Sequence, residues 1–434
     1  MTGKMTEKTK LLLTGGHVFL DGGFTSSDIL ISEGKVFLSS SVTESDMSDT
    51  HIIDVSNKYI FPGFTDVHVH LREPGFSYKE TIATGSLAAA AGGYTAVFAM
   101  PNLDPSPDCA ENLKRVTDII DRDAACGVYQ YGCITVGRKG ETVAPLEEMS
   151  DAVAFTDDGS GVQIDSVMLE AMERAAKLGK IIAAHCEDNS LLNDGYIHDG
   201  EYARTHGHRG ICSESEWGPI ARDVELARRS GCEYHVCHVS SKESVDVIRR
   251  AKADGVHITA ETAPHYLVFD DSMLEEDGRF KMNPPIRSAA DREALIEGIL
   301  DGTINMIATD HAPHSRDEKS RGLEKSAMGV VGLETAFPVM YTYLVKTDRL
   351  PIARLVELMA TNPAKRFGTG EGIIKDGGVA DLCVYDLDRE YNVDPETFVS
   401  MGRSTPFKGM RVQGKCIMTV KKGKVIWTEN LTER

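Results

Sequence analysis

Eight short apolar runs alternate with helical patterns through the middle of the 434-residue chain, and both ends read as β-structure broken by Gly and Asp turns. The alternation covers roughly 300 residues, which fits a closed parallel sheet better than an open one. The predicted class is therefore α/β: a (β/α)8 TIM-type barrel over residues 61–371, with a small β domain composed from both termini, 1–60 and 372–434. In order, the first end contributes LLLTGG, DILISEG and KVFLSS. The eight central runs are FTDVHVHL, TAVFAM, VYQYGCITV, AVAFTDD, KIIAAHCE, EYHVCHVS, VHITAET and INMIATD. VADLCVYDL, CIMTV and KVIW close the chain. Between runs, SVMLEAMERAAKLG and SESEWGPIARDVELARRSG repeat apolar residues at helical spacing and end in Gly, a common C-cap.

Composition narrows the function classes. Asp and Glu number 66 against 47 Lys and Arg, a net charge of −19, with 41 % hydrophobic residues. Such a chain is globular, not disordered, collagenous or a disulfide scaffold. Its negative field disfavours nucleic acid and anionic membrane surfaces as partners. No run approaches the ~18 apolar residues of a membrane span, and Leu11–Leu13 is too short a cluster for a signal peptide, so a soluble, cytoplasmic protein is expected. Nine scattered cysteines without a CxxC pair read as buried thiols.

The chemistry lies where the central runs end. In a barrel, catalytic groups come from the C-terminal ends of several strands. Run one carries His68 and His70, spaced by two and so on one face of a strand. Run four ends in Asp157 and Asp158, run five in His185, run six in His238 and run eight in Asp310. Neutral imidazoles and carboxylates suit Zn²⁺, and four His with two Asp exceed what one zinc uses, so two metals are expected. Periodicity does not choose between Asp157 and Asp158. His235, three residues before His238, faces the other way along an extended strand, and only one of the two can serve. His17, His51, His198, His206, His208, His257 and His311 match no strand end and read as surface or packing residues. His265, in ETAPHYL, reads as shaping a loop.

PGFTDVHVHLREPG, FAMPN, FTDDG, AHCED, CHVSS, ETAPHYL, KMNPPIR and ATDHAPH, in this order, resemble the amidohydrolase superfamily and specifically the class I dihydroorotases. The resemblance covers essentially the whole chain and implies a (β/α)8 barrel with a composite β-sandwich. Carried onto matching positions, it implies that His68, His70 and Asp310 hold one zinc, His185 and His238 the other, and Asp158 bridges them. Many relatives bridge with a carboxylated lysine, but run four has no lysine. The same comparison assigns substrate contacts to His70, Arg72, Asn102, Asn283, His314, Met328 and Gly329. Arg72 offers a planar fork for a substrate carboxylate; the alternative is a surface pair with Glu73. The family usually has Phe where Met328 stands, so backbone contacts carry over and ring packing does not. The Lys-, Arg- and Glu-rich loop from His311 to Gly329 is either solvated or a cover for the site.

The implied reaction is reversible cyclisation of N-carbamoyl-L-aspartate to L-dihydroorotate and water in pyrimidine synthesis, with Asp310 as ligand and base. The resemblance further implies two zinc ions per subunit, one held less tightly, a homodimer, and association with aspartate carbamoyltransferase as in some relatives. Two alternatives are another cyclic-amide hydrolase, of allantoinase or dihydropyrimidinase type, and an inactive scaffold for aspartate carbamoyltransferase. The former generally carry the lysine and lack the Arg of HVHLREPG; the latter lose ligands, and all six are present here.

Overall fold

The computed structural model describes residues 10–38 and 50–429 and shows a mixed α/β fold. The last two residues of the KVFLSS run lie outside the described residues. Strand Phe64–Val69 pairs in parallel with Tyr94–Ala99, which pairs with Gly127–Gln130. Gly132 then bridges to Phe155, and Phe155 to Ile182. Strands Ile181–Ala184, Glu233–Val236, Ile258–Thr262 and Met306–Ile307 follow, all in parallel. Past the last strand, His311 bridges back to Val69, and its carbonyl accepts the His70 amide at 2.8 Å. The series of pairings thus returns to its first strand.

Run four departs from expectation in forming only a bridge at Phe155, and run three only a four-residue strand. Asp157 explains part of this. Its carboxylate accepts the Ile134 and Thr135 amides at 2.9 and 3.1 Å, pulling the third connection across the end of the fourth segment. The two helical patterns form helices Asp165–Lys177 and Glu214–Ser230, the second ended by Gly231 in the left-handed conformation. Helix Lys242–Ala253 starts from a Ser241 cap, and Ala289–Asp301 from a Ser288–Asp291 capping box.

The strands are buried on both faces, and alternate residues sort into two cores. Val67, Phe98, Met100, Ala183 and Met306 pack inside the ring, where Phe367 meets Phe98 at 4.9 Å with the rings tilted by 58°; Val97, Ala99, Ile182 and Ala184 face the helices. The termini form two further sheets. One is six-stranded and runs Lys424–Thr428, Arg411–Lys421, Leu382–Asn392, Tyr59–Pro62, His17–Leu20, Gly23–Ser26, so both ends of the chain interleave. The other is four-stranded, from Lys35–Leu38 to Thr50–Asp54. Leu11, Leu13, Ile29, Ile60, Leu382 and Met418 fill a separate core among these strands.

Helix Ile82–Ala91 is Ala-rich because it lies against both the ring and the terminal strands: Ala88 to Ala91 are buried, and the Thr419 hydroxyl donates to Ala90 O at 2.7 Å. Beside it, Phe337 meets Tyr385 at 4.3 Å, Phe61 at 5.1 Å and Phe64 at 5.3 Å. These rings join the terminal sheet to the first strand of the ring. Phe337→Ala should therefore cost about 3–5 kcal/mol of stability, read as a lower urea midpoint. A midpoint equal to that of the unaltered protein would show that this junction does not hold the two parts together.

Candidate active site

The six residues read from the ends of runs one, four, five, six and eight converge on one buried space at the C-terminal ends of the strands. His68 Nε2 stands 3.4 Å from both Asp158 Oδ1 and Asp310 Oδ1. His70 Nε2 lies 3.0 Å from Asp310 Oδ1 and 3.6 Å from Asp158 Oδ2. From the far side, His238 Nε2 and His185 Nδ1 approach Asp158 Oδ1 at 3.5 and 3.7 Å and each other at 2.8 Å. Asp158 thus stands between two histidine pairs. Asp157 does not: its carboxylate is spent on Ile134 and on the amide and hydroxyl of Thr135.

Surrounding groups fix how the imidazoles present themselves. His68 Nδ1 donates to Glu261 Oε1 at 2.6 Å, and His70 Nδ1 to Asn102 Oδ1 at 2.8 Å, so each Nε2 lone pair points into the shared space. There His68 Nε2 and Asp158 Oδ1 are buried without a hydrogen-bond partner. Lone pairs aimed at carboxylate oxygens across 3.0–3.6 Å fit a cation between them. His68, His70 and Asp310 form one group suited to a metal ion, and His68, Asp158 and His238 another. Burial alone would raise the Asp158 carboxyl, but His68, His238 and His70 outweigh it and hold Asp158 well below the usual range. The same balance lowers Asp310.

Three residues here adopt left-handed backbone: Arg72 at φ 61°, His238 at φ 35° and Asp310 at φ 46°. Such conformations are costly without Gly and gather where function demands a direction. The turn at Arg72 carries its side chain back over the site, where Nε donates to Pro313 O at 3.2 Å and Nη2 lies 3.5 Å from His314 Nε2. The expected alternative, a pair with Glu73, does not form; Glu73 accepts the Ile82 amide instead. Burial lowers Arg72 to about 10, against the pull of Asp310 and Asp158, so it remains a cation at neutral pH.

The other expected contacts surround it. Asn102 also donates from Nδ2 to Asp158 Oδ2 at 3.4 Å, which ties it to the His70 side. Asn283 Nδ2 donates to Glu187 Oε1 at 2.7 Å, and Glu187 in turn lies 3.5 Å from His185 Nε2. His314 Nε2 donates to the Met328 carbonyl at 2.7 Å, so Met328 takes part through its backbone. Gly329 is at φ 131°, and a Cβ there would stand 2.8 Å from Ala312 Cβ and 3.1 Å from His314 Nε2. The loop from His311 to Gly329 is not merely solvated. It folds into helical turns Arg316–Lys319 and Gly322–Lys325, and buried Lys319 Nζ donates to Lys281 O at 3.0 Å and Ala327 O at 2.8 Å. Lys319 thereby joins the segments that carry Asn283 and Met328.

Several polar residues escaped the sequence reading. Glu261, the penultimate residue of VHITAET, accepts from His68 Nδ1, His235 Nε2 and the His238 amide. Its signal was a buried-type run ending in a carboxylate. Asp66, raised by burial to about 7, accepts the His68 and Thr309 amides. His235 bonds Thr259 and Glu261 and stays out of the cluster, and His311, read as a surface or packing residue, is a packing one, buried near Glu80 and Ser400. His265 sits in the short helix Pro264–Val268, not in a loop, with Nε2 buried and unpartnered and burial pushing it down to about 4. Seven of the nine cysteines are buried and all are free thiols. No helix among the described residues is long and apolar enough to cross a membrane.

Comparison with known proteins agrees with this geometry. A family model described as dihydro-orotase-like matches residues 57–244. A protein of Bacillus cereus (strain AH820) named dihydroorotase is 48 % identical over 420 residues, 96 % of this chain and 98 % of its own length. A dihydroorotase of Bacillus thuringiensis (strain Al Hakam) matches to the same extent. Among solved structures, L-hydantoinase (dihydropyrimidinase) from Arthrobacter aurescens superposes with a TM-score of 0.85 at 27 % identity, covering 98 % of this chain and 97 % of that one. Dihydropyrimidinase from Brevibacillus agri NCHU1002, at TM-score 0.83 and 22 % identity over 96 % and 94 % of the two chains, shares the fold. Identity of 48 % over nearly the full length shows that the chain belongs to the dihydroorotase family.

Proposed function

We propose that this protein catalyses the reversible, zinc-dependent cyclisation of N-carbamoyl-L-aspartate to L-dihydroorotate and water, a step of pyrimidine synthesis. The observation that carries the reading is the buried Arg72 guanidinium held over a cluster of four histidines and two aspartates. A ring amide with a free carboxylate matches both halves of that site. His68, His70 and Asp310 would hold one zinc and His185 and His238 a second, more weakly held one, with Asp158 shared. When bound, zinc supplies a nucleophile from water at neutral pH and polarises the amide carbonyl.

The chain's own residues do the rest. Arg72 and His314 receive the substrate carboxylate, and Asn102, Asn283 and the backbone of Met328 and Gly329 line the remaining ring contacts. Asp310 turns Oδ1 toward His68 and His70, which leaves Oδ2 to take the proton of the attacking water and return it to the leaving ring nitrogen. Cyclisation is the same path reversed. The ring of parallel pairings supports a (β/α)8 barrel over 61–371, and the terminal sheets a composite β-sandwich from 1–60 and 372–434. By family resemblance we assign a cytoplasmic homodimer, with aspartate carbamoyltransferase as an associate.

An absorbance assay with dihydroorotate, hydantoin and allantoin side by side tests the assignment: turnover of dihydroorotate is expected, and turnover of hydantoin alone overturns it. Cyclisation consumes a proton, because carbamoyl aspartate has two carboxylates and dihydroorotate one, so the equilibrium should favour the ring by about tenfold for each pH unit of acidification. A pH-independent end point would mean that a different reaction is being followed.

Arg72→Met keeps length and removes every charged donor. It should lower kcat/KM for dihydroorotate by roughly 2–5 kcal/mol of binding and orientation energy in a folded protein. Unaltered kcat/KM would remove Arg72 from the carboxylate site. Recovery of metal-stripped enzyme by zinc should need no bicarbonate and should be lost in Asp158→Ala, since the fourth segment offers an aspartate where a lysine carbamate would stand. A strict bicarbonate requirement would refute the Asp158 bridge.

A further inference from the structure

Lys79 belongs to no motif singled out above, yet it touches the anion end of the site. Its Nζ lies 3.2 Å from His314 Nδ1 and 2.9 Å from Glu318 Oε1, and only 14 % of its side chain is exposed. A neutral imidazole carries one N–H, and its neighbours decide where. The Met328 carbonyl, 2.7 Å from His314 Nε2, can only accept, so it favours a proton on Nε2. Glu318 Oε2, 3.7 Å from Nδ1 and accepting from the Ser315 amide and hydroxyl, does not bond the ring, but its charge favours a proton on Nδ1. The two demands conflict. Lys79 resolves them, because its ammonium donates to Nδ1 while pairing with the carboxylate that would otherwise claim that nitrogen.

We propose that Lys79 is a positioning residue that fixes His314 in the tautomer protonated on Nε2, so that this N–H, held by the Met328 carbonyl in the free site, passes to the substrate carboxylate as its second donor beside Arg72. The proposal rests on the assignment of a carboxylate-bearing substrate to this site. Arg72 Nη2 lies 3.5 Å from His314 Nε2, and in this tautomer both are donors. They do not bond to each other, and an anion between them accepts from Arg72 and, in exchange for the Met328 carbonyl, from His314 Nε2. In the opposite tautomer Nε2 would turn a lone pair toward that anion. The groups facing His314 are Arg72, Lys79, Lys319, Glu318 and the Met328 carbonyl. Burial first, then Arg72 and Lys79, push His314 down to about 3, so it stays neutral where the enzyme works.

The test is nitrogen NMR of protein labelled at the histidine rings, with His314 assigned by its loss in His314→Asn, alongside steady-state kinetics on dihydroorotate. In the unaltered protein His314 should show a protonated Nε2 and a bare Nδ1. In Lys79→Met the proton should move from Nε2 to Nδ1, whereas a ring protonated on both nitrogens keeps the Nε2 donor and overturns the proposal. KM should rise about tenfold while kcat stays within about twofold. Lys79→Arg, which keeps a cationic donor, should restore the tautomer and most of the KM. An unaltered His314 pattern in Lys79→Met, or a fall in kcat with KM unchanged, overturns the proposal. If the tautomer moves as stated but the unaltered protein does not turn over dihydroorotate, the substrate assignment fails and with it the role in carboxylate binding.

Discussion

The site depends on one buried contact, the 2.6 Å bond from His68 Nδ1 to Glu261 Oε1 at the centre of the ring of strands. Both side chains are essentially without solvent. A carboxylate there would be costly alone, since an unpaired buried charge loses its hydration and gains nothing. Glu261 instead gathers donors from the first and sixth strands and from the His238 amide just beyond. Burial would raise it, yet His68 and His235 hold it far below the ordinary carboxylate range. The contact fixes which nitrogen of His68 carries the proton, and the other nitrogen then faces Asp158 and Asp310. Truncating Glu261 would free the ring to rotate and leave His68 with a second unsatisfied nitrogen.

Backbone strain follows the same logic. Arg72, His238 and Asp310 each occupy left-handed φ values at the point where a strand gives way to its loop. Strands deliver side chains alternately in and out, so a regular strand end could not aim successive residues at one space. The left-handed residue breaks that alternation. Surrounding bonds hold it there: Thr309 and His68 amides converge on Asp66, and the Ser240 and Ser241 amides on Glu216, with Arg287 beside it. Each acid restrains the backbone on one side of a cluster residue without contacting the cluster itself.

Much of this was legible in the sequence, for definite reasons. Short apolar runs and helical spacing marked the strands and helices, and the HxH pair placed two imidazoles on one face. His185, His238 and Asp310 stood out because each closed an apolar run. The fourth segment was harder. Asp157 and Asp158 are adjacent, and only the Ile134–Thr135 amides, distant in sequence, reveal that Asp157 belongs to a neighbouring loop. Glu261 was hidden because a Glu near a strand end is ordinarily a solvated residue; its burial comes from histidines on two other strands. Lys79 was hidden because its partners, His314 and Glu318, lie more than 230 positions away along the chain. His265, read as shaping a loop, lies in a short helix, because Pro264 at a first turn starts one.

A protein of net charge −19 that accepts an anion cannot rely on its overall field to gather substrate. At physiological salt, charges beyond about 8 Å are largely screened, so the local arrangement decides. Arg72 and Lys79 bring cationic groups to the same corner of the site, where burial brings Lys319 down to about 7, and His314 stands among them as a neutral donor. Glu318 faces them and Lys79 engages it, while Asp310 and Asp158 act on Arg72 from the cluster side. The corner thus places two cations within a chain of net charge −19, and its donors are partly desolvated before any ligand arrives. Recognition then comes from short, oriented bonds, which distinguish a planar carboxylate from the neutral ring positions of other cyclic amides more sharply than a diffuse potential could. The two halves of the site divide the work accordingly: the histidine–carboxylate cluster suits the reacting amide that all these hydrolases share, and the Arg72–His314 pair suits the one group that sets dihydroorotate apart.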